Sequence, residues 1–594
     1  MHGSESPREA YTARLAGYQE QKARQAFRER IVGNARLGVF ALGLLLAYFA
    51  ATRWLSPWWL ALPGAIFVGL VWVHDRVLRA ARRAGHGIAF YEKALARLEG
   101  RWSGKGQQGN RFMDPAHPCA LDLDLFGTGS LFELLSTARI RTGEDTLASW
   151  LMTPADPEEI CGRQQAIMEL RCRLDLREHL ALLAASVPAG VDLDGLAAWG
   201  TAAPVVVSPR VHTISIVLPV LAMLALLGWL LWATPLSLLL IVVLAEVGFN
   251  LVMGPPVQAV LAPVERRAHD LALLAGILAC LERESFTSPR LLELQKRLQS
   301  EGQGPSQRIA QLGRLIDLLN SRKNQLFMPL AYLLLWTTHL AFQLEAWRFA
   351  SGEAIGRWLA TVGDFEALCA LATYAYEHPS DPFPEITSPG PSFEGEGLGH
   401  PLLPSCVPND LHLGEEKRLL VVSGSNMSGK STFLRTVGIN TVLALAGAPV
   451  RATRLRLSCL SVGATLRIQD SLQGGTSRFY AEITRIRQLM DLAAGPRPLL
   501  FLLDEILHGT NSHDRRQGAE AVVRGLLQRG AIGLITTHDL SLAEIADRLA
   551  PRAGNVHFAD HLVDGTMTFD YRLQPGVVQH SNAIALMRAV GLEV

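Results

Sequence analysis

Uncharged runs alternate with charged, amphipathic stretches along the first two thirds of this chain. Residues 1–36 are polar and rich in arginine and lysine, and residues 37–52 and 54–73 then carry no charge. Each run is just long enough to cross a membrane as a helix. Basic residues flank both outer ends, and only a very short turn separates the runs. The pattern predicts a basic cytoplasmic segment followed by a transmembrane hairpin over residues 37–74. A helical hairpin inside a soluble core is the alternative.

A second uncharged stretch predicts a second transmembrane hairpin. Residues 75–209 have the pattern of a charged helical core, and Val211–Ala245 then contains no charged residue. A break at Ala233-Thr234-Pro235 divides this stretch, so two membrane helices are expected within residues 210–254. Glu246 interrupts the second helix near its end, where we expect its carboxylate to reach the membrane interface. A functional acid within the membrane is the alternative.

The helical pattern resumes over residues 255–384, and a parallel α/β domain is predicted over residues 385–594. An uncharged run at residues 326–342 contains Pro329, which favours a core helix over a fifth membrane span. Four spans also keep both ends of the chain on one side of the membrane. A linker dense in Pro and Gly, at residues 377–401, leads into apolar, β-branched runs separated by helical segments. That alternation is typical of an open parallel sheet.

A phosphate-binding loop joins the first apolar run of this domain to a helix. Leu419–Ser423 ends at a G-x-x-x-x-G-K-S segment, whose glycines let backbone N–H groups converge on an anion at a helix N-terminus. A chance Gly/Ser-rich turn is the alternative. Lys430 is expected to reach the terminal phosphates, and Ser431 to offer its hydroxyl to Mg²⁺. The residues expected to bind the nucleotide are Gly424, Ser425, Asn426, Met427, Ser428, Gly429, Lys430, Ser431 and Thr432.

Two later apolar runs end in acidic residues and in a histidine. Asp504 and Glu505 follow Leu499–Leu503. Two adjacent acids at the end of a buried strand are costly unless a metal and a reaction use them. We therefore predict that Asp504 holds Mg²⁺ through water and that Glu505 is the general base for the attacking water. His538 follows the run 532–537 and is predicted to sense the γ-phosphate, although a lone histidine is more often structural.

Four segments of the α/β domain resemble the MutS family of mismatch-repair ATPases, within the ABC class. The loop at residues 424–432 resembles that family's G-P-N-M-G-G-K-S-T, and residues 504–514 resemble its D-E-I-G-R-G-T-S-T-x-D. Residues 475–482 are similar to its G-R-S-T-F-M-x-E segment, with Ser477 at a matching position and two departures. The pair at residues 537–538 matches its T-H switch.

The resemblance implies a fold and a mode of action. The expected fold is an α/β P-loop ATPase domain joined to an all-α lever and core domain, here with two inserted transmembrane helical hairpins. ATP and Mg²⁺ are the expected cofactors. The expected assembly is a homodimer with composite ATP sites, in which Ser477 of one chain completes the site of the other. ATP binding would close the dimer and hydrolysis would release it. The implied catalytic residues are Lys430, Ser477, Glu505 and His538, and the implied metal-holding residues are Ser431 and Asp504.

Mismatched DNA is the substrate that the family implies, but several features of the chain weaken this expectation. The second hairpin takes the position of the family's DNA-gripping clamp, and we expect no mismatch-reading domain before Arg36. We also expect no helix-turn-helix extension beyond Val594. The net charge of +1 does not favour a strongly basic groove for nucleic acid. Any DNA binding is therefore predicted to be weak and blind to mismatches.

Composition favours a membrane protein. Only 19% of the residues are charged, and the mean hydropathy is +0.18, which is apolar for a soluble protein. The seven cysteines are scattered without a C-x-x-C pair, which indicates a reducing compartment and no zinc site. We expect a multi-pass protein of the inner or plasma membrane with a cytoplasmic ATPase domain. An ABC-type motor or nucleotide-gated scaffold for a membrane process, acting without nucleic acid, is the alternative function.

Overall fold

The computed structural model describes residues 6–185, 194–205, 208–265, 268–298, 303–324, 327–388, 390–467, 478–507, 511–563 and 566–578. The helices are α1 (Pro7–Ala51), α2 (Ala61–Leu98), α3 (Leu131–Leu135), α4 (Arg141–Met152), α5 (Pro157–Arg171), α6 (Leu174–Ala184), α7 (Asp194–Thr201), α8 (Pro209–Trp232), α9 (Leu236–Glu265), α10 (Ala268–Arg283), α11 (Pro289–Leu298), α12 (Pro305–Asn320), α13 (Met328–Leu333), α14 (Trp336–Glu377), α15 (Lys430–Ala446), α16 (Arg478–Leu492), α17 (Ser512–Gln528) and α18 (Leu540–Arg548). The strands are β1 (Glu385–Thr387), β2 (Phe393–Leu398), β3 (Asn409–Leu413), β4 (Leu419–Ser423), β5 (Arg454–Ser458), β6 (Ser461–Thr465), β7 (Leu499–Asp504), β8 (Ile532–Thr537), β9 (Ala553–Val563) and β10 (Thr566–Pro575).

One compact unit contains α1, α2 and α6, from Met1–Trp102 and Leu174–Ser186. Helix α1 starts at a capping box, in which the Ser6 hydroxyl accepts the Glu9 N–H and the Glu9 carboxylate accepts the Ser6 N–H. It then runs without a break from the polar segment through the first uncharged run. The boundary predicted after residue 36 is therefore a change of composition within one helix.

A buried polar cluster joins the three helices of this unit. The hydroxyls of Tyr18 and Tyr91 both donate to the Glu178 carboxylate on α6, and Arg14 Nη1 lies 2.7 Å from Glu178 Oε2. Burial and the bond to Glu178 raise the pKa of Tyr18 to about 12. Burial opposes ionisation of Glu178, but the hydrogen bonds from Tyr18, Tyr91 and Arg14 outweigh it and lower the pKa of this carboxyl. The carboxylate therefore fixes α6 against both long helices.

The second unit is organised around α14, which at 42 residues is about 63 Å long. Helices α4, α5, α7, α11 and α12 pack along it. Helices α8 and α9 form an antiparallel hairpin, and Ala233 adopts φ 51° between them. Among the described residues, four helices are long and apolar enough to cross a membrane by length and composition: α1, α2, α8 and α9.

Two sequence expectations for this unit differ from the structure. Glu246 was expected at the membrane interface, but its side chain is buried in the α8–α9 hairpin, with Oε1 unpaired among the described residues. The run 326–342 was expected to be one core helix. It is divided instead, because Leu335 adopts a left-handed backbone with φ 45° between α13 and α14. The residues of α13 are largely exposed.

Two sheets follow α14. A six-stranded sheet has the order β10-β9-β4-β8-β7-β6, in which β9, β4, β8, β7 and β6 are parallel and β10 is an antiparallel edge. A smaller sheet has the order β1-β5-β2-β3. The expected combination of an α/β domain with a large helical region is thus confirmed. Strands β4, β7 and β8 are buried along nearly their whole length, so their carboxyl ends carry side chains to one edge of the sheet.

Candidate nucleotide site

The loop between β4 and α15 has the backbone geometry of an anion cradle. Gly424, Met427 and Gly429 have φ of 153°, 69° and 104°. A Cβ on Gly424 would lie 2.7 Å from Ser428 Oγ, so only glycine fits there. The Oγ atoms of Ser425 and Ser428 are buried and make no hydrogen bond with the described residues. These hydroxyls and the N-terminus of α15 suit an anion with several oxygen acceptors.

Lys430 is held at the centre of the loop. Its Nζ donates to the carbonyl oxygens of Gly424 at 2.9 Å and Ser425 at 2.8 Å. The side chain is only 5% exposed, and Nζ lies 3.9 Å from Glu505 Oε1. Burial lowers the pKa of the ammonium, and the nearby carboxylates of Glu505 and Asp504 oppose that shift. A phosphate group would compensate the desolvation of this cation more fully than two carbonyl groups do.

The carboxylates predicted from the sequence lie at the end of β7, beside the end of β8. Asp504 pairs with Thr536 across the two parallel strands. The Thr536 hydroxyl donates to Asp504 Oδ1 and accepts the Glu505 N–H at 3.1 Å. His538 Nδ1 lies 3.2 Å from Glu505 Oε1. The structure therefore brings Lys430, Asp504, Glu505 and His538 together at one edge of the sheet.

A second buried carboxylate supports the loop that follows Glu505. Glu482, on α16, is almost fully buried, and its Oε1 accepts the Leu507 N–H. Glu505 and Leu507 both have positive φ, at 46° and 58°. Such a backbone persists only where its surroundings hold it. Glu482 thus holds the turn that carries the predicted general base.

Some predicted residues are not brought into this group. Ser477 lies outside the described residues, as do residues 508–510. Ser431 and Thr432 form the first turn of α15 directly after Lys430. Asn426 and Met427 form the outer part of the loop, where the Met427 side chain is exposed.

Tyr571 is a candidate site residue that the sequence did not identify. It lies at the irregularity in the β9–β10 pairing, with φ 54° and a half-exposed ring. A Cβ built on Gly429 would lie 3.1 Å from Tyr571 Cδ1. Asn409 Nδ2 donates to the carbonyls of both Val407 and Tyr571, at 3.3 and 3.0 Å, and the ring lies beside the phosphate-binding loop at Gly429.

Asp122 joins the helical part of the second unit to the α/β domain. Its Oδ1 accepts the N–H groups of Leu466 at 2.7 Å and Arg467 at 2.8 Å, and its Oδ2 accepts from Arg485 Nη2 at 3.0 Å. Its carbonyl accepts Arg435 Nε from α15 at 3.2 Å. One buried residue therefore fixes the chain after β6, helix α16 and the helix of the phosphate-binding loop. The contacts span more than 300 residues of sequence, so no local pattern could indicate them.

The residues present fit a magnesium nucleotide. The described residues contain no cluster of three His, Cys, Asp or Glu side chains able to hold a metal ion. A magnesium ion here would therefore depend on phosphate oxygens and water besides Ser431 and Asp504, which is the usual mode for this ion. The Ser425 and Ser428 hydroxyls, which lack a hydrogen-bond partner among the described residues, and the buried ammonium of Lys430 match the triphosphate.

Known proteins are similar in sequence to part of this chain. Residues 420–593 match the family MutS domain V. The chain is 33% identical over 252 residues to the DNA mismatch repair protein MutS of Natronomonas pharaonis, covering 41% of this chain and 28% of that protein. It is 29% identical over 255 residues to Endonuclease MutS2 of Thermus thermophilus, covering 41% and 32%. It is 28% identical over 353 residues to the DNA mismatch repair protein MutS of Thermus aquaticus, covering 58% and 38%.

The matched stretches span only 28% to 38% of the length of these relatives. The family match at residues 420–593 contains the phosphate-binding loop, the acidic pair and His538. Residues 420–593, which contain the candidate nucleotide site, are thus similar to domain V of the MutS family.

Proposed function

We propose that this chain is a membrane-anchored ATPase of the MutS type, which binds and hydrolyses ATP with Mg²⁺ in a homodimer. The observation that carries the proposal is the convergence of Lys430, Asp504, Glu505 and His538 beside the phosphate-binding loop. Structural ion pairs alone do not account for two adjacent acids, a buried ammonium and unpaired loop hydroxyls at one sheet edge.

Each side chain has a role that follows from its position. ATP would supply the γ-phosphorus at which water attacks, with ADP as the leaving group, and Mg²⁺ would supply charge that stabilises the phosphate oxygens. Lys430 turns its ammonium from the loop carbonyls toward the phosphate oxygens. Ser431 and Asp504 would hold the ion, and Thr536 orients the Asp504 carboxylate. Glu505 Oε1 takes the proton of the attacking water, and His538, at 3.2 Å, orients that carboxylate.

The proposed homodimer completes each site with Ser477 of the other chain. This role is implied by the resemblance of residues 475–482 to the MutS segment. ATP binding would draw the two α/β domains together, and hydrolysis would separate them. Helix α14 ends at Glu377 and β1 begins at Glu385, so movement of the α/β domain acts directly on the long helix.

The proposed membrane anchor consists of the two apolar hairpins. Helices α8 and α9 expose large aliphatic side chains along their length, including Leu224, Leu230, Leu244 and Leu251. Such a surface is unfavourable in water and suits lipid. It also favours the second candidate function, an ABC-type motor or nucleotide-gated scaffold that serves a membrane process without nucleic acid. Two of the three relatives are named for DNA mismatch repair and the third as an endonuclease, and DNA remains a weak, mismatch-blind ligand in our proposal.

Nucleotide binding by the purified full chain in lipid nanodiscs tests the ATPase part of the proposal. We expect Lys430→Ala to abolish binding of a fluorescent ATP analogue, because the phosphates lose their buried cation. Lys417→Ala is the matched control, since Lys417 is exposed just before β4. Equal affinity of the Lys430→Ala variant and the unaltered chain would overturn the assignment of the loop.

Membrane fractionation and protease access test the anchor. The protein should stay in the membrane after alkaline extraction, because four apolar helices hold it there. The N-terminus and the α/β domain should both resist protease added outside intact cells. Release of the protein by alkali, or cleavage of the α/β domain from outside, would contradict the proposed anchor and its topology.

A further inference from the structure

The short helix α13 exposes apolar side chains in an unusual place. The run that contains it was expected to be a buried core helix, yet Tyr332 is 64% exposed. The last turn of α12 lies beside it, because Trp336 Nε1 donates to the Leu318 carbonyl at 2.9 Å. Phe327 packs edge-on against Trp336, with ring centroids 5.5 Å apart. We call the exposed apolar residues here the interface patch; they are Leu318, Met328, Leu330 and Tyr332.

Contacts between the start of α14 and α8 show at which height along the α8–α9 hairpin this patch lies. His339 forms a hydrogen bond with the Ser215 backbone, and the ring of Phe342 lies 4.7 Å from that of His212. From the first contact to the second, the residue numbers increase along α14 and decrease along α8. The two helices are therefore antiparallel at this contact. The N-terminal end of α14 therefore points along α8 toward the tip of the hairpin.

That direction brings the patch beside the proposed lipid-facing surface. Trp336 lies six residues before Phe342, which is about 9 Å further toward the hairpin tip. At the corresponding level, α8 already exposes apolar side chains to its surroundings, including Ile216 and Val217. The apolar surface of α8 and the interface patch thus begin at the same height.

Basic residues flank the patch along α8 and α12. Arg210 opens α8, and Arg314 lies one turn before Leu318 on α12. Arg322 and Lys323 follow α12 and pair with Glu265 at 3.2 and 2.7 Å. Among the described residues of this group, the four basic residues outnumber the carboxylates of Glu265 and Asp317.

We propose that the interface patch lies in the headgroup region of the cytoplasmic leaflet, where it contacts acyl chains while the basic residues bind anionic headgroups. The proposal rests on the proposed membrane anchor and names a second, non-spanning contact with the same bilayer. An apolar surface bordered by basic side chains, with Tyr and Trp at the border, is the chemistry of interfacial lipid binding. The contact fixes the first turn of the long helix α14 to the membrane, while its other end leads to the α/β domain.

An environment-sensitive fluorescent amino acid, placed at one position at a time in the full chain, tests the proposal in nanodiscs with anionic lipid. The test position is Tyr332. Phe349 is the aqueous control, since it is 95% exposed on α14 thirteen residues beyond Trp336. Leu224 is the lipid control, in the middle of α8. We expect iodide to quench position 332 about fivefold less than position 349, and spin-labelled lipid to quench positions 332 and 224.

Each other outcome has a distinct meaning. If iodide quenches position 332 as strongly as position 349 while position 224 stays lipid-protected, the interface proposal is wrong and the anchor stands. If position 224 is also open to iodide, the anchor itself is wrong. If position 332 is shielded from both quenchers, protein covers the patch, either a second copy or another chain, and the lipid proposal is overturned.

Replacing Arg314 and Lys323 by Gln gives a second measurement in a chain whose apolar core is unaltered. We expect iodide quenching at position 332 to rise in nanodiscs with anionic lipid, because two headgroup contacts are lost. In nanodiscs of neutral lipid the same replacement should have no effect. An equal effect in both lipids would show that the basic residues do not bind anionic headgroups.

Discussion

Replacement of Asp122 should destabilise the α/β domain far more than its position in a loop suggests. The side chain is 4% exposed and accepts two backbone N–H groups and one Arg485 nitrogen. In Asp122→Asn the amide can serve the two backbone donors or Arg485, but not both, because one side of it becomes a donor. Breaking a buried charge pair by removing one partner costs about 3–5 kcal/mol.

Asp124→Asn is the matched control two residues away. Its carboxylate accepts two nitrogens of Arg467, at 2.6 and 3.1 Å, but Asp124 is 32% exposed and Arg467 is 47% exposed. An exposed pair of this kind contributes about 0–1 kcal/mol. The two variants remove the same formal charge from the same segment. The difference between their losses of stability therefore measures the effect of burial.

Pulse proteolysis across a urea series measures both variants in the full chain in detergent. At an unfolding slope of about 2–3 kcal/mol per M, the Asp122→Asn midpoint should fall by about 1–2 M and that of Asp124→Asn by less than about 0.5 M. Combining Asp122→Asn with Arg485→Gln should cost less than the sum of the single changes, because the buried guanidinium no longer lacks its partner. Equal midpoints for the two Asn variants would show that the buried contacts of Asp122 stabilise the domain no more than the exposed pair of Asp124 does.

Three further predictions concern the site and its ligands. Ser477→Arg should spare ATP binding but stop hydrolysis. A 1:1 mixture with Lys430→Ala should regain about a quarter of normal turnover, because half of the dimers are mixed and each mixed dimer holds one intact site. No recovery in the mixture would refute a shared site. Tyr571→Ala should weaken ATP binding by about 0.5–1.5 kcal/mol while Tyr571→Phe leaves it unchanged, as equilibrium titration would show, and equal affinities would exclude stacking. A perfect duplex and the same duplex with one G·T mismatch should compete within about tenfold, or roughly 1.4 kcal/mol, at fixed salt, and a larger preference would show that the chain reads mismatches.

The candidate site was accessible from the sequence because its signals are local. The phosphate-binding loop, the acidic pair and His538 each follow a short apolar strand, and parallel strands bring their carboxyl ends to one edge. Thr536 and Glu482 were not assigned these roles, since each acts through a partner about 25 to 32 residues away. Tyr571 depends on a strand irregularity that no periodicity marks.

The structure of the helical part was harder to predict from the sequence, because hydropathy indicates neither which helices are buried nor where a helix breaks. The uncharged run at residues 326–342 gives no sign that Leu335 reverses the backbone between two helices. Likewise, the position of Glu246 in the sequence suggested an interfacial carboxylate, whereas packing of α8 against α9 buries it. Helix α1 continues through a sharp change of composition, because both halves are compatible with helix and no breaker separates them.

Single turnover of bound ATP by the Glu505→Gln chain tests whether Glu505 is the general base for hydrolysis. The purified protein is loaded with ATP labelled at the γ-phosphate, Mg²⁺ is added, and the bound nucleotide is separated into ATP and phosphate over time. Glu544→Gln, an exposed change on α18, is the control. We predict that the control cleaves at the normal rate, whereas Glu505→Gln binds ATP and cleaves it about 10²–10⁴-fold more slowly, because Oε1 no longer accepts the proton of water. Cleavage at the normal rate by Glu505→Gln would contradict the assigned mechanism.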